Sequence, residues 1–208
     1  MTWPASSSTN SSTARTRSDG ESRTIAVDLT AADRSALLAL ARCAIEAALA
    51  GRAAPKIPDF PAAGLHRGAF VSLRASGGDL RGCIGHVTGD RPLGDVILQV
   101  AVSAARSDPR FTPIASNELP GLRIEISVLS ELARLEAADL YRMVIGRDGV
   151  LVRRGRAQAV LLPQVATEQG FGIEAFLEAV CEKAGLGPRS WREPATEVFT
   201  FTADVFDE

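Results

Sequence analysis

Leu122-Arg123-Ile124-Glu125-Ile126-Ser127-Val128 alternates apolar and polar side chains without a break. Successive side chains of an extended chain point to opposite faces, so the pattern predicts a strand. Leu122, Ile124, Ile126 and Val128 form its buried face, while Arg123, Glu125 and Ser127 meet solvent or line a cavity. Upstream, Phe70 to Leu73 and Leu80 to Ile84 read as a hairpin joined by Ser76-Gly77-Gly78-Asp79. Downstream, Met143 to Leu162 reads as two or three short strands broken at Arg147-Asp148-Gly149 and Arg154-Gly155-Arg156. A last strand over Val198 to Phe206 places Phe199 and Phe201 on one side.

Helical periodicity fills much of the rest. From about Ala31 to Ala50, Leu37, Leu40, Ala41, Ala44, Ile45 and Ala48 form one stripe; Thr30 and Asp33 have capping-box spacing and Gly51 supplies the stop. Pro55 to Pro61 should run extended. Pro92 opens a second helix with Leu93, Val96, Ile97, Val100 and Ala104 on one face, ended by Asp108-Pro109. Further helices start near Pro163 and run from about Ile173 to Ala184, before Gly185. Helices and strands mix without a β-α repeat, which predicts an α+β fold: a mainly antiparallel sheet with flanking helices.

The 208 residues are 46% hydrophobic, enough for one domain or two small lobes that share an interface. Residues 1–24 offer almost nothing apolar to bury and are expected to be a disordered tail, leaving 25–208 as the folded domain. A formal charge of −2 and an aromatic content of 5% argue against nucleic acid as the default partner. No apolar run reaches the about 20 residues of a spanning helix, so no membrane partner is expected. Cys43, Cys83 and Cys181 are odd in number and widely spaced, which fits a reducing cytoplasm better than a disulfide framework. Cys43 and Cys181 lie on predicted helices and are expected in the core.

The stretch that invites chemistry is Leu80-Arg81-Gly82-Cys83-Ile84-Gly85-His86. In a strand, Arg81 and Cys83 share a face. A nearby guanidinium favours a thiolate, and Gly82 and Gly85 let a ligand or another backbone approach the sulfur. Cys83 is therefore the candidate catalytic residue, and it could equally pack as a small apolar residue. The planar fork of Arg81 suits a carboxylate or phosphate ligand or an internal ion pair. His86 falls on the opposite face unless Gly85 breaks the alternation, which weakens a Cys83-His86 pair. Gly82, Gly85, His86, Glu125 and Ser127 complete the candidate ligand-binding set with Arg81. A metal site of Cys83, His86, His66 and Glu125 would have half of a zinc motif's spacing and no second half, so no metal is assigned. Arg147, Arg153, Arg154 and Arg156 form a basic cluster on turns, read first as solvated surface.

Taken in order, several of these segments resemble the AMMECR family, named after the chromosomal region of Alport syndrome, midface hypoplasia and elliptocytosis. They are Leu80 to Gly85; Ala104-Ala105, Asp108-Pro109-Arg110-Phe111 and Pro113; Glu118-Leu119; Ile124 to Ser130; and Gly146 to Val150. Leu162-Pro163-Gln164-Val165-Ala166 with Glu168, Cys181, Lys183-Ala184-Gly185-Leu186 and Trp191 continue the match. Phe171 stands where similar members often carry Trp. The resemblance implies an α+β domain with a larger and a smaller lobe and a cleft between them. It brings no established activity and no named cofactor.

Family members have been predicted to modify RNA or nucleotides. Bacterial and archaeal relatives are associated with a Memo-like protein, similar to aromatic-ring dioxygenases, and a radical S-adenosylmethionine (radical SAM) protein. This chain lacks the radical partner's three-cysteine motif and the histidines of the other, so the resemblance makes it the third, AMMECR-type member of such an AmmeMemoRadiSam system, of bacterial type. Two functions follow as expectations. One is an enzyme or catalytic subunit modifying a nucleotide, RNA or small metabolite at a cleft centred on Cys83; the other is a non-enzymatic adaptor that binds the Memo-like and radical SAM partners.

Overall fold

The structure, a computed structural model, describes residues 28–208. The expected tail over residues 1–24 lies outside them.

The first helix, α1 (Ala31–Leu49), begins where the capping box predicts. Asp33 N–H donates to Thr30 Oγ1 at 3.1 Å and Thr30 N–H to Asp33 Oδ2 at 3.1 Å. Asp33 also accepts the Ala62 N–H, which pins the connector after α1. Gly51, at φ +66, turns the chain out of the helix. Leu37, Leu40, Ala41, Ala44 and Ile45 are buried, whereas Cys43 points to the other side and is exposed. The expectation that Cys43 is core is corrected by its place opposite the stripe.

β1 (Ala69–Arg74) and β2 (Leu80–His86) form the hairpin, and α2 (Leu93–Arg106) follows. β3 (Arg123–Leu129) lies on the other side of β1. Ala69, Val71 and Leu73 of β1 and Ile124, Ile126 and Val128 of β3 are buried beneath α1 and α2, which makes the first core. Complete burial of each Val, Ile or Leu is worth roughly 1.5–3 kcal/mol.

The second half contains a two-residue strand β4 (Ala133–Arg134), the hairpin β5 (Asp148–Arg154) and β6 (Ala157–Leu161), and helices α3 (Pro163–Glu168) and α4 (Ile173–Lys183). Gly155, at φ +60, makes the β5–β6 turn. The other expected break, at Arg147, is the turn into β5, so Met143 to Leu162 supplies two strands. Val150, Val152, Phe176, Leu177, Val180, Cys181 and Trp191 build a second, smaller core, with Cys181 buried as expected.

One strand joins the halves. β7 (Glu197–Asp207), eleven residues long, pairs with β5 through Glu197 to Thr202 and with β3 through Ala203 to Asp207. β4 pairs with it at Phe199 and Thr200. The sheet order is β2-β1-β3-β7-β5-β6, and every pairing is antiparallel. At the junction Leu129, Leu151 and Phe201 are buried with Phe70, Val160 and Leu162 packed against them. The fold is α+β: four α-helices on a curled antiparallel sheet, with one core on each half and a third where they meet.

Candidate functional site

β2 is an edge strand, so one side of its backbone has no strand partner. Cys83 sits opposite Ser72 of β1, and the Ser72 hydroxyl donates to Cys83 Sγ at 3.2 Å. The outward N–H of Cys83 donates to Asp108 Oδ2 at 2.8 Å, and its outward carbonyl accepts from Arg110 Nη2 at 3.0 Å. Asp108 and Arg110 thus close the strand edge at this residue and hold its peptide from both sides.

The closure follows from local sequence. α2 ends at Arg106, Pro109 prevents its continuation, and Asp108 turns inward. Arg110 then grips Asp108 with Nε at 3.0 Å and Nη2 at 2.7 Å. Asp108 is buried. The Arg110 guanidinium, the backbone N–H groups of Cys83 and Arg110, and the nearby positive charge hold its carboxyl well below the usual carboxylate range, outweighing burial. Arg110 is raised in turn by Asp108 against the cost of burial, with smaller contributions from the Cys83 sulfur.

Arg81, expected beside the sulfur, is spent elsewhere. Its Nε and Nη2 meet the two Glu118 carboxylate oxygens at 3.0 and 3.2 Å, and Nη1 donates to the Thr112 carbonyl at 2.7 Å. This strap lays the segment after α2 along the strand edge and shows Arg81 in an internal ion pair, one of the two uses its planar fork allows. Arg110 is the guanidinium at Cys83. Both glycines are likewise taken by the protein. A Cβ on Gly82 would stand 2.2 Å from the Ala104 carbonyl of α2, and one on Gly85 would stand 2.1 Å from the Phe70 ring. The close approaches that the glycines permit are to a helix and an aromatic ring.

His86 alternates away from Cys83; its Nε2 lies 2.5 Å from Asp90 Oδ1 and 3.1 Å from the Thr88 hydroxyl. His66 Nδ1 faces the Gly89 carbonyl at 3.3 Å. Among the described residues no cluster of three or more His, Cys, Asp or Glu side chains could hold a metal ion. Glu125 shares the Cys83 face two strands away, 3.7 Å from Arg74, and lines a cleft with Arg74, Gln164, Glu168 and Thr202. Ser127 is on that face too, but it is buried rather than lining the opening.

Three contributors, Asp108, Arg110 and Lys183, are not among the candidate site residues of the sequence. In the sequence Asp108 and Arg110 read first as helix-end and lobe-packing residues and second as cleft lining; the unsatisfied edge of β2 brings them to Cys83. Lys183, at the end of α4, donates to the Val160 carbonyl at 3.0 Å and lies within electrostatic reach of Cys83 and Arg110. Lys183 is exposed to solvent. Partial desolvation by its neighbours lowers its pKa, Cys83 acts in the opposite direction and Arg110 adds to the lowering. The assembled chemistry is a thiol with a hydroxyl donor beside it, a fixed backbone and two cationic side chains nearby.

The basic cluster is largely neutralised: Arg147 pairs with Asp148, Arg153 with Glu197 and Arg154 with Glu193. Among the described residues no helix is long and apolar enough to cross a membrane.

Comparison with known proteins follows the same outline. The AMMECR1 family model matches residues 38–206. A protein of Methanothermobacter thermautotrophicus is 43% identical over 178 residues, spanning 83% of this chain and 92% of that one. A Methanopyrus kandleri protein is 42% identical over 148 residues, covering 68% of this chain and 72% of its own. The crystal structure of an uncharacterised protein from Pyrococcus horikoshii superposes with a TM-score of 0.77 at 37% identity, covering 83% of this chain and 89% of that one. These relatives are archaeal, and they bear out neither the bacterial-type expectation nor the three-protein system. With the match running from α1 through β7, the chain belongs to the AMMECR1 family.

Proposed function

We propose that the protein is a thiol-dependent enzyme acting on a small anionic metabolite, with Cys83 as nucleophile. The observation that carries this reading is the pinning of Cys83. Its N–H is held by Asp108, its carbonyl by Arg110 and its sulfur by the Ser72 hydroxyl, beside two cations. The two backbone contacts would serve any residue at this strand edge; the hydroxyl at the sulfur and the cations near it are what single out a thiol. Fixed geometry lowers the cost of bringing a nucleophile onto its target. Arg110 remains more than half exposed while gripping Asp108, so it can also orient an anionic group. RNA is a poorer substrate, because most of the basic cluster is already paired with carboxylates. Cys43, Cys83 and Cys181 are free thiols, and a site of this kind works in a reducing compartment such as the cytoplasm.

The test is alkylation of the folded chain by iodoacetamide, mapped by peptide mass spectrometry. Cys83 should label, and small carboxylates or phosphates that bind at the exposed Arg110 guanidinium should slow its labelling but not that of exposed Cys43. If Cys83 labels only after unfolding, the enzymatic reading fails and the adaptor reading replaces it.

A further inference from the structure

β7 changes neighbours partway along its length. Up to Thr202 it pairs with β5, and from Ala203 it pairs with β3 on its other side. The chain ahead of β5 does not continue the ladder past Thr202. It turns away, with the N–H groups of Arg147 and Asp148 donating to the Val144 carbonyl at 3.1 and 3.0 Å and with Gly146 at φ +84. On the β3 side, Ser130 N–H donates to the Thr202 carbonyl at 2.9 Å and Glu208 N–H to the Ile124 carbonyl at 3.2 Å. Peptide groups alternate in direction along a strand, so Asp204 and Phe206 also face β3, while Val205 directs its N–H and carbonyl the other way. Among the described residues no strand lies on that side of Val205, and none bonds to its peptide groups. Val205 is 45% exposed although it lies within a strand, and it lines a cleft of about 490 Å3 with Ala203, Arg147, Gln164 and Glu168.

The two outer edges of the sheet are treated differently. On β2 the outward peptide groups of Cys83 are taken by Asp108 and Arg110, and on β6 the carbonyl of Val160 is taken by Lys183. An unpaired edge is a template for another strand, and proteins ordinarily block it. At Val205 it is left unblocked, inside a cleft. We propose that this open edge of β7 is a peptide-binding site, which takes an extended segment of low net charge as an added strand. One ligand residue then exchanges two hydrogen bonds with the N–H and carbonyl of Val205. Main-chain bonds of this kind supply affinity, and the walls of the cleft supply selection. The charges on those walls cancel, Arg74 and Arg147 against Glu125 and Glu168, so a ligand of strong net charge gains nothing from either sign. The exposed Val205 side chain favours a β-branched neighbour on the added strand. The stretch from Ala203 to Asp207 matches a segment of about five residues. This site makes no use of Cys83 and stands whether or not the protein is an enzyme.

Amide hydrogen exchange of the full chain, followed residue by residue by NMR, tests the site without any change to the protein. In the free chain the Val205 N–H should exchange at least about tenfold faster than those of Asp204 and Phe206, which face β3. The probe is a five-residue peptide of alternating threonine and valine with both ends blocked. At saturation it should slow the exchange of Val205 about tenfold and leave Asp204 and Phe206 unchanged. The same peptide N-methylated at every residue has no N–H to donate and should bind at least about tenfold more weakly. A Val205 amide already protected in the free chain overturns the proposal; protection that falls on dilution would assign the edge to a second copy of the chain, and protection that does not would assign it to the chain itself. Equal protection by the N-methylated peptide overturns it too, because recognition would then lie in the side chains. So does a Val205 exchange rate that the parent peptide leaves unchanged even at about 1 mM.

Discussion

Gly82→Ala tests whether the glycines of the cysteine stretch serve a ligand or the fold. The new methyl carbon would lie 2.2 Å from the Ala104 carbonyl oxygen and 3.1 Å from its carbon, both backbone atoms of α2. A side chain could swing aside, but a helix backbone packed on the first core cannot, so β2 and α2 must separate. Overpacking of this kind costs roughly 3 kcal/mol, the upper part of the usual range. Alanine returns about 0.5–1 kcal/mol by restricting the unfolded chain. The net loss is about 2 kcal/mol, a fall in melting temperature of roughly 4–8 °C for a domain of this size. The control is Gly77→Ala in the neighbouring turn, where the nearest atom is the Asp79 carboxylate at 3.9 Å. Thermal unfolding followed by circular dichroism measures both. If the Gly82→Ala chain melts together with the Gly77→Ala chain, the packing argument is wrong and Gly82 is again available to a ligand.

Asp108→Asn should cost about 2 kcal/mol at pH 7, since it weakens a charged hydrogen-bond pair in a buried place. Asp108 has a folded pKa below its ordinary value of about 3.9, so its contribution is fully present above that value and disappears as pH falls through the folded one. The gap in stability between wild type and variant should therefore hold from neutral pH down to about 5 and narrow below about 4; urea unfolding across that range measures it. A gap independent of pH would disprove the assignment. Arg81→Gln should free the segment after α2 from the edge of β2, because Glu118 and Thr112 lose their shared donor. Loss of about 1.5 kcal/mol of local stability predicts roughly tenfold faster tryptic cleavage after Arg110. An unchanged rate would mean that the strap does not hold the segment.

Elements governed by neighbouring residues were legible in the sequence. The Thr30–Asp33 box, the alternation of Ile124, Ile126 and Val128, and the glycine turn between β5 and β6 each carry their own local physics. Ser127 shows where that reading stops. Alternation tells one face from the other, but burial of the second face depends on how the sheet curls and on what the smaller half covers. The site divides in the same way. His86 falls away from Cys83 as strand geometry requires. Arg81 meets Glu118 only because the chain after α2 returns to an exposed edge, which no periodicity announces. Lys183 was visible only as one residue of a family stretch, since its approach to Cys83 depends on packing between α4 and the sheet.

β7 also sets a condition on how the molecule is made. It is translated after the other described strands, yet β3 and β5 both depend on it for their second neighbour. During synthesis the hairpin of β1 and β2 and the hairpin of β5 and β6 can each form early from contacts close in sequence. The pairing that fixes one relative to the other must wait until the final strand has left the ribosome. Such long-range closure is the slow part of folding. Until it occurs, the edges of β3 and β5 remain open to pairing with other chains, so the nascent protein is most prone to aggregate before β7 is in place.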